Sequence, residues 1–366
     1  MVKKQAVASA MLSLCLGTVT FSATALAQTE QSAPTADQTA ATPSAAGNKL
    51  KNLTPQQRQR LQQFIQRRRA RQGGGAGLGA GGAGLGAGGT GMGAGRRQMA
   101  TVNPEKVDAR FNIAYGDAGR QKLDVYIPKK LTSPAPLLIF VHGGGWQRGS
   151  KDLQREKGIS YAENGIVTVC TNYRLAPSVM HPKQVEDVAA AVAWAKKHAT
   201  ELGADPNRIF IMGHSAGAQL VDLLGTNERF LKEQGLSLSD IKGVISLDTA
   251  SLNLGERVKE GSVEGLMVGD MITQAFGTNP KVLADASPTL NIHAGSKYPP
   301  FLMYCGERRV SCVAQHKSFE TALNKVGGSK VTVKPVPLNH GDISKYAGTT
   351  TTPMFKEILQ FISAQP

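Results

Sequence analysis

Cysteine is scarce in this chain, with four in 366 residues. That is too few for a fold held together by disulfides, so the structure has to rest on an apolar core. Acidic residues are also short, 27 against 42 lysines and arginines, and the net charge is +15. Aromatic residues make up only 5%. The basic clusters carry no run of interleaved aromatics, so the stacking platforms of a single-stranded nucleic-acid binder are missing. Long apolar runs are absent too, apart from one at residues 6–26. That run carries small polar residues and meets no charged stop-transfer segment, which argues against a retained membrane helix.

What is present at the front is a leader and a tether. Lys3-Lys4, the apolar run and the ending Ala25-Leu26-Ala27 make residues 1–27 read as a secretory signal peptide, cleaved before Gln28. The expected location is periplasmic, secreted or cell-surface. Residues 28–100 read as a disordered, basic and glycine-rich tether. Within it, 54–72 predicts a short helix: Thr54 is the N-cap, Pro55 takes the first position, and Leu61, Phe64 and Ile65 share a face ringed by arginines. The string Ala-Gly-Leu-Gly-Ala-Gly-Gly then occurs at 76–82 and again at 83–89. Ten lysines and arginines in 28–100 face only Glu30 and Asp37, so most of the basicity belongs to the tether. It points to an anionic surface or polymer as partner rather than to nucleic acid.

From about residue 103 strand and helix signals alternate. Short apolar runs at 137–141, 166–171, 209–212, 243–247, 301–305 and 330–336 have the pattern of strands buried on both faces. Two earlier strands, 109–115 and 122–127, read as a hairpin. Helical periods fall at 184–198, 216–224, 313–326 and 353–363. The fold class is therefore α/β, with a mostly parallel sheet and an antiparallel start. Residues 251–299 offer no clear strand and read as a small cap insertion. Cys170 lies inside a strand run as a small core residue. Cys305 and Cys312, seven apart, read as a pair able to bridge a loop in an oxidising compartment.

Three segments carry chemistry. Gly213-His214-Ser215-Ala216-Gly217 sits between a strand and a helix and fits G-x-S-x-G, the nucleophile elbow that exposes a serine on a sharp turn. His142-Gly143-Gly144-Gly145-Trp146 follows a strand directly. Its Gly144 and Gly145 amides, with that of Ala216, are placed to hold an oxyanion. A serine needs a base, and in the order Ser…acid…His that base must follow Ser215. Of His293, His316 and His340, the last follows the final strand and is expected as the base. His316 falls inside a helix and His293 inside the cap.

HGGGW, Asn172-Tyr173-Arg174-Leu175-Ala176-Pro177, GHSAG and the terminal Asn339-His340-Gly341 together resemble the α/β-hydrolase fold carboxylesterases, most nearly the hormone-sensitive-lipase-like and BD-FAE-like (bacterial feruloyl/acetylxylan esterase-like) groups. The resemblance covers about 103–363 and none of the tether. It implies hydrolysis of carboxylic esters through an acyl-enzyme, with no metal or cofactor, and a structural role for 172–177 and Asp187. The chain departs from the pattern at the acid: after 301–305 the group has G-x-x-D, but Gly306-Glu307-Arg308-Arg309 puts Arg309 at the aspartate's place. Glu307 is the expected acid, Asp248 its rival, and Asp285 or no acid the remainder. A non-catalytic surface protein on the same fold, and an acyltransferase or peptidase, stay open as other readings.

Overall fold

The computed structural model describes residues 100–366, together with Gln59 and Gln62, two exposed helical positions. The expectations for the signal peptide, the tether and most of helix 54–72 lie outside the described residues.

Eight strands form one sheet: β1 Val107–Ala114, β2 Lys122–Pro128, β3 Ala135–Val141, β4 Val167–Thr171, β5 Ala204–His214, β6 Ile241–Leu247, β7 Phe301–Gly306 and β8 Val331–Val336. Their spatial order is β1-β2-β4-β3-β5-β6-β7-β8. β1 pairs with β2 and β2 with β4 antiparallel, while every pair from β4 to β8 is parallel. The antiparallel start and parallel remainder are as the sequence pattern leads one to expect. Parallel neighbours need crossovers, and helices supply them. The helices between strands are α1 Arg155–Glu163, α2 Lys183–His198, α3 Ala216–Leu224, α4 Arg229–Lys232, α5 Leu254–Lys259, α6 Val263–Phe276, α7 Pro280–Asp285 and α8 Val310–Lys325, and α9 His340–Tyr346 and α10 Pro353–Ser363 follow the last strand.

Alternation along each central strand sorts its side chains onto two faces. Leu137, Ile139, Val141, Ile209, Ile211 and Val244 join α2, α3 and α8 in one core. Leu138, Phe140, Phe210, Met212 and Ile245 join α1, α9 and α10 in the other. Both sets are buried, which is why these strands read as continuous apolar runs. α10 fixes its own start: Pro353 takes the first turn and the Thr352 side chain accepts from Phe355 N at 3.2 Å. Its Met354, Phe355, Ile358 and Ile362 then fall on one buried face, each stabilising the fold by about 1.5–3 kcal/mol of apolar burial.

Cys170 on β4 is fully buried in the core, and burial pushes its thiol up to about 12. Between β6 and β7, residues 251–299 contain α5, α6 and α7 and no strand. The consequence for function is positional. Parallel strands β3, β5, β6, β7 and β8 all end at one edge, so the residues that follow them (His142, Ser215, Asp248, Glu307 and His340) gather there, the edge at which open α/β sheets bind ligands.

Candidate active site

Ser215 is the single residue between the end of β5 and the start of α3. Its backbone sits at φ 57°, ψ −118°, a conformation that costs a side-chain-bearing residue about 1–3 kcal/mol. The surroundings hold it there. Ser215 N donates to Leu247 O at 3.0 Å, and Ser215 O accepts from the amides of Gln219 and Ala250, each at 3.1 Å. The flanking glycines follow from close packing: a Cβ on Gly217 would lie 2.2 Å from Val141 O. This is the physical content of the G-x-S-x-G spacing.

The glycine loop after β3 lies alongside, since a Cβ on Gly143 would come within 3.0 Å of Ser215 Cβ. Gly144 has φ +125°, and a Cβ there would meet Arg148 O at 2.1 Å. Among the described residues, the amides of Gly144, Gly145 and Ala216 donate to no protein acceptor. Buried Trp146 ties this loop to the elbow helix, its Nε1 donating to Gln219 Oε1 at 2.9 Å. Gln219 Nε2 in turn donates to Ala286 O at 2.8 Å. His142, which opens the loop, stacks on Tyr173 with centroids 4.5 Å apart and donates from Nδ1 to Gly143 O at 2.8 Å. Burial pulls it down to about 4, so it is neutral at pH 7. Asp187 receives the Arg174 guanidinium at 2.6 Å and the Gln121 amide at 2.8 Å, a packing role that keeps it away from Ser215.

His340 is the first residue of α9, capped by Asn339, whose side chain accepts from Asp342 N at 2.9 Å. It is thus at a helix start rather than in a loop. The carboxylate against it is Asp248, not Glu307: His340 Nδ1 lies 2.5 Å from Asp248 Oδ2. Asp248 is fully buried and sits at φ 49°. Asp248 Oδ2 also takes Arg309 Nη1 at 2.7 Å, while Oδ1 accepts from Gly306 N at 3.0 Å and Cys312 Sγ at 3.4 Å. Burial alone would push this carboxyl up. The His340 hydrogen bond and the Arg309 guanidinium more than offset that and hold it well below the usual carboxylate range.

Glu307 is placed differently. Its amide donates to Val336 O at 2.9 Å, and its side chain is exposed. The neighbouring amide, Gly306 N, is the one that reaches the acid of the site. Asp285 is occupied elsewhere, by His181 at 2.8 Å and Arg229 at 2.7 Å. The bridge that the spacing of Cys305 and Cys312 left open is not formed: both are free, buried thiols. Cys312 sits instead in the first turns of α8, between Asp248 and His316 Nδ1, which is 3.6 Å away. His316 is buried in that helix, and His293 is exposed.

Two features were not singled out from the sequence. His214 Nε2 donates to His340 O at 2.9 Å, and the two rings stand 4.5 Å apart. Burial and the His340 charge pull His214 down to about 3, so it packs against His340 as a neutral ring. The second is an ion-pair chain. Arg309 bridges Asp248 to Glu264 of α6 at 2.8 Å, and Glu264 also takes Arg257 of α5 at 2.6 Å. The departure at Arg309 was its one sign in the sequence. Ser215 and His340 line one cavity of about 560 Å³, with Trp146, Ala250, Val268, Met271 and Leu338 supplying apolar walls.

A serine on a strained strand-to-helix turn, with its acid and histidine following in the order Ser215, Asp248, His340 from later strand ends, is the plan of an α/β-hydrolase. Within that class, the chain belongs to the BD-FAE family, whose model matches residues 123–323. Esterase LipC of Mycobacterium tuberculosis is 32% identical over 266 residues, 69% of this chain and 64% of that protein. A probable isoprenylcysteine alpha-carbonyl methylesterase of Arabidopsis thaliana, ICMEL1, is 30% identical over 64% of this chain and 51% of that one. The chain therefore spans between about half and two thirds of the length of these curated relatives. Among solved structures, esterase B from Lactobacillus rhamnosis superposes with a TM-score of 0.61 at 21% identity, covering 72% of this chain and 87% of that one. At that identity the likeness speaks for the fold.

Proposed function

We propose that the chain is a serine carboxylesterase working through an acyl-enzyme. The observation that carries the reading is His340, which lines the same cavity as Ser215 and has the buried Asp248 carboxylate 2.5 Å from its Nδ1. With Nδ1–H donated to Asp248, the other imidazole nitrogen, Nε2, is the one left to take a proton. In the proposed cycle Ser215 Oγ attacks the ester carbonyl as His340 accepts its proton. The oxyanion is held by the amides of Gly144, Gly145 and Ala216, which have no other acceptor among the described residues. His340 then protonates the leaving alcohol, and water repeats the sequence on the acyl-Ser215 ester. Asp248 stays ionised throughout and stabilises the imidazolium. The esterase names carried by relatives such as LipC support the same reaction class.

The cavity volume and its Trp146, Met271 and Val268 walls support short acyl or aromatic acyl groups, including acetyl and feruloyl esters of polysaccharide fragments. The make-up of residues 1–27 supports export, and the basic segment 28–100 supports attachment to an anionic surface. The test is a panel of acetyl, butyryl, palmitoyl and feruloyl chromogenic esters. The expected result is turnover of the short and aromatic esters, palmitoyl being the poorest, and a loss of about 10³-fold or more in Ser215→Ala. Absence of turnover on every ester would overturn the proposal.

A further inference from the structure

The cavity at Ser215 is lined by three arginines, Arg148, Arg308 and Arg309, against one exposed-rim carboxylate, Glu264. Arg309 is charge-balanced, since it pairs with Asp248 at 2.7 Å and with Glu264 at 2.8 Å. The other two are not. Arg148 and Arg308 are exposed, and among the described residues neither guanidinium has an ion-pair or hydrogen-bond partner. They reach the cavity from separate strand ends, Arg148 from the loop after β3 and Arg308 from the loop after β7. The remaining walls are mostly apolar. A catalytic cavity with two uncompensated cations and no free carboxylate is a poor match to a wholly neutral substrate. Field lines from such charges focus into a low-dielectric cleft and raise the local concentration of anions.

We propose that the preferred ester carries a carboxylate, held at the mouth by Arg148 and Arg308 while its carbonyl sits at Ser215. The inference rests on the esterase reading above and names its substrate class. A carboxylate takes two donors from each planar guanidinium, which suits a half-ester of a dicarboxylic acid or an ester of an acidic alcohol such as a uronic acid.

The probes are 4-nitrophenyl butyrate (neutral), mono-4-nitrophenyl glutarate (carboxylate on the acyl side) and 4-butyryloxybenzoate (carboxylate on the alcohol side). The quantity read is the ratio of kcat/KM for each charged ester to that for the neutral one, compared between the full chain and its Arg148→Gln, Arg308→Gln and double variants, so that leaving-group differences cancel. An exposed charge pair contributes up to a factor of about five. The double variant is therefore expected to lower the ratio about tenfold for at least one charged ester, and Arg148→Lys/Arg308→Lys to restore much of it. Raising salt from low ionic strength to about 0.5 M should lower the ratio more in the full chain than in the double variant. A fall confined to the glutarate places the carboxylate in the acyl part, and one confined to the benzoate places it in the alcohol. An unchanged ratio in the double variant, with 4-nitrophenyl butyrate still cleaved, overturns the anionic preference and leaves the esterase reading intact. Failure of the full chain to cleave any of the three, with no labelling of Ser215 by a phosphonate, overturns both.

Discussion

Asp248 receives four donors on two oxygens: His340 Nδ1, Arg309 Nη1, Gly306 N and Cys312 Sγ. Glu307, the next residue after Gly306, is exposed and does not share in this arrangement. Asp248→Asn should therefore lower kcat by up to about 10⁴-fold, the loss seen when a triad aspartate becomes an amide and the histidine takes the wrong tautomer. Glu307→Gln should change kcat less than about twofold. Steady-state kinetics on a short ester decide it, and the opposite ranking would return the acid to Glu307. Ser215 and the glycine loop were legible because each is bound to a local spacing, and His340 because it is the histidine that follows the last strand. The acid was not. Arg309 at the family's aspartate position announced that the carboxylate had moved, but the choice between Glu307 and Asp248 depends on which amide, Gly306 or Glu307, points inward at the end of β7. That is a property of strand register, not of spacing. The same applies to Cys305 and Cys312, whose separation of seven says nothing about where their thiols point.

Among the elements, α3 carries both the elbow and a buried acid. Asp222 is fully buried, with Oδ2 accepting from Ser246 Oγ at 2.8 Å. Burial raises it to about 8, so the folded chain holds it protonated at pH 7. In the unfolded chain the same group ionises near 4. The unfolded state therefore binds fewer protons between about pH 4 and 8. Stability from this group is complete below the unfolded value and falls as pH rises toward 8, by about 1.4 kcal/mol per unit at most. Asp222→Asn keeps an acceptor for Ser246 and cannot ionise. It should raise Tm at pH 7–8 and flatten the Tm–pH curve above pH 4, as followed by circular dichroism. An equal or lower Tm at pH 8 would show that the carboxyl is accommodated as an anion. The strands were the most legible elements, since continuous apolar runs mark parallel strands buried on both faces. β5 begins earlier than its apolar run because Asp205-Pro206-Asn207-Arg208 carry no strand-forming apolar side chain, and they join the strand through sheet context. α9 escaped the pattern because it is seven residues long and starts on His340 itself.

At the scale of the whole molecule, charge and chemistry occupy different parts of the chain. Eight of the ten lysines and arginines in residues 28–100 precede the glycine repeats, which separate them in sequence from the strands. Deleting 28–100 should leave kcat and KM on a small neutral ester unchanged. It should weaken adsorption to acidic lipid vesicles, with the full chain's adsorption falling steeply between about 0.05 and 0.5 M salt. Co-sedimentation with vesicles measures this. Equal adsorption of the full and shortened chains at low salt would remove the surface-attachment proposal, and loss of small-ester activity on deletion would show that the segment contributes to the catalytic unit.

The proposed mechanism requires a nucleophilic serine at the end of β5. Peptide mapping after reaction with a short-chain alkyl phosphonate tests this most directly. The predicted result is one adduct, on Ser215, formed at stoichiometry approaching one per chain and slowed strongly in His340→Gln. No adduct at Ser215, or an adduct whose rate is indifferent to His340, would contradict the mechanism.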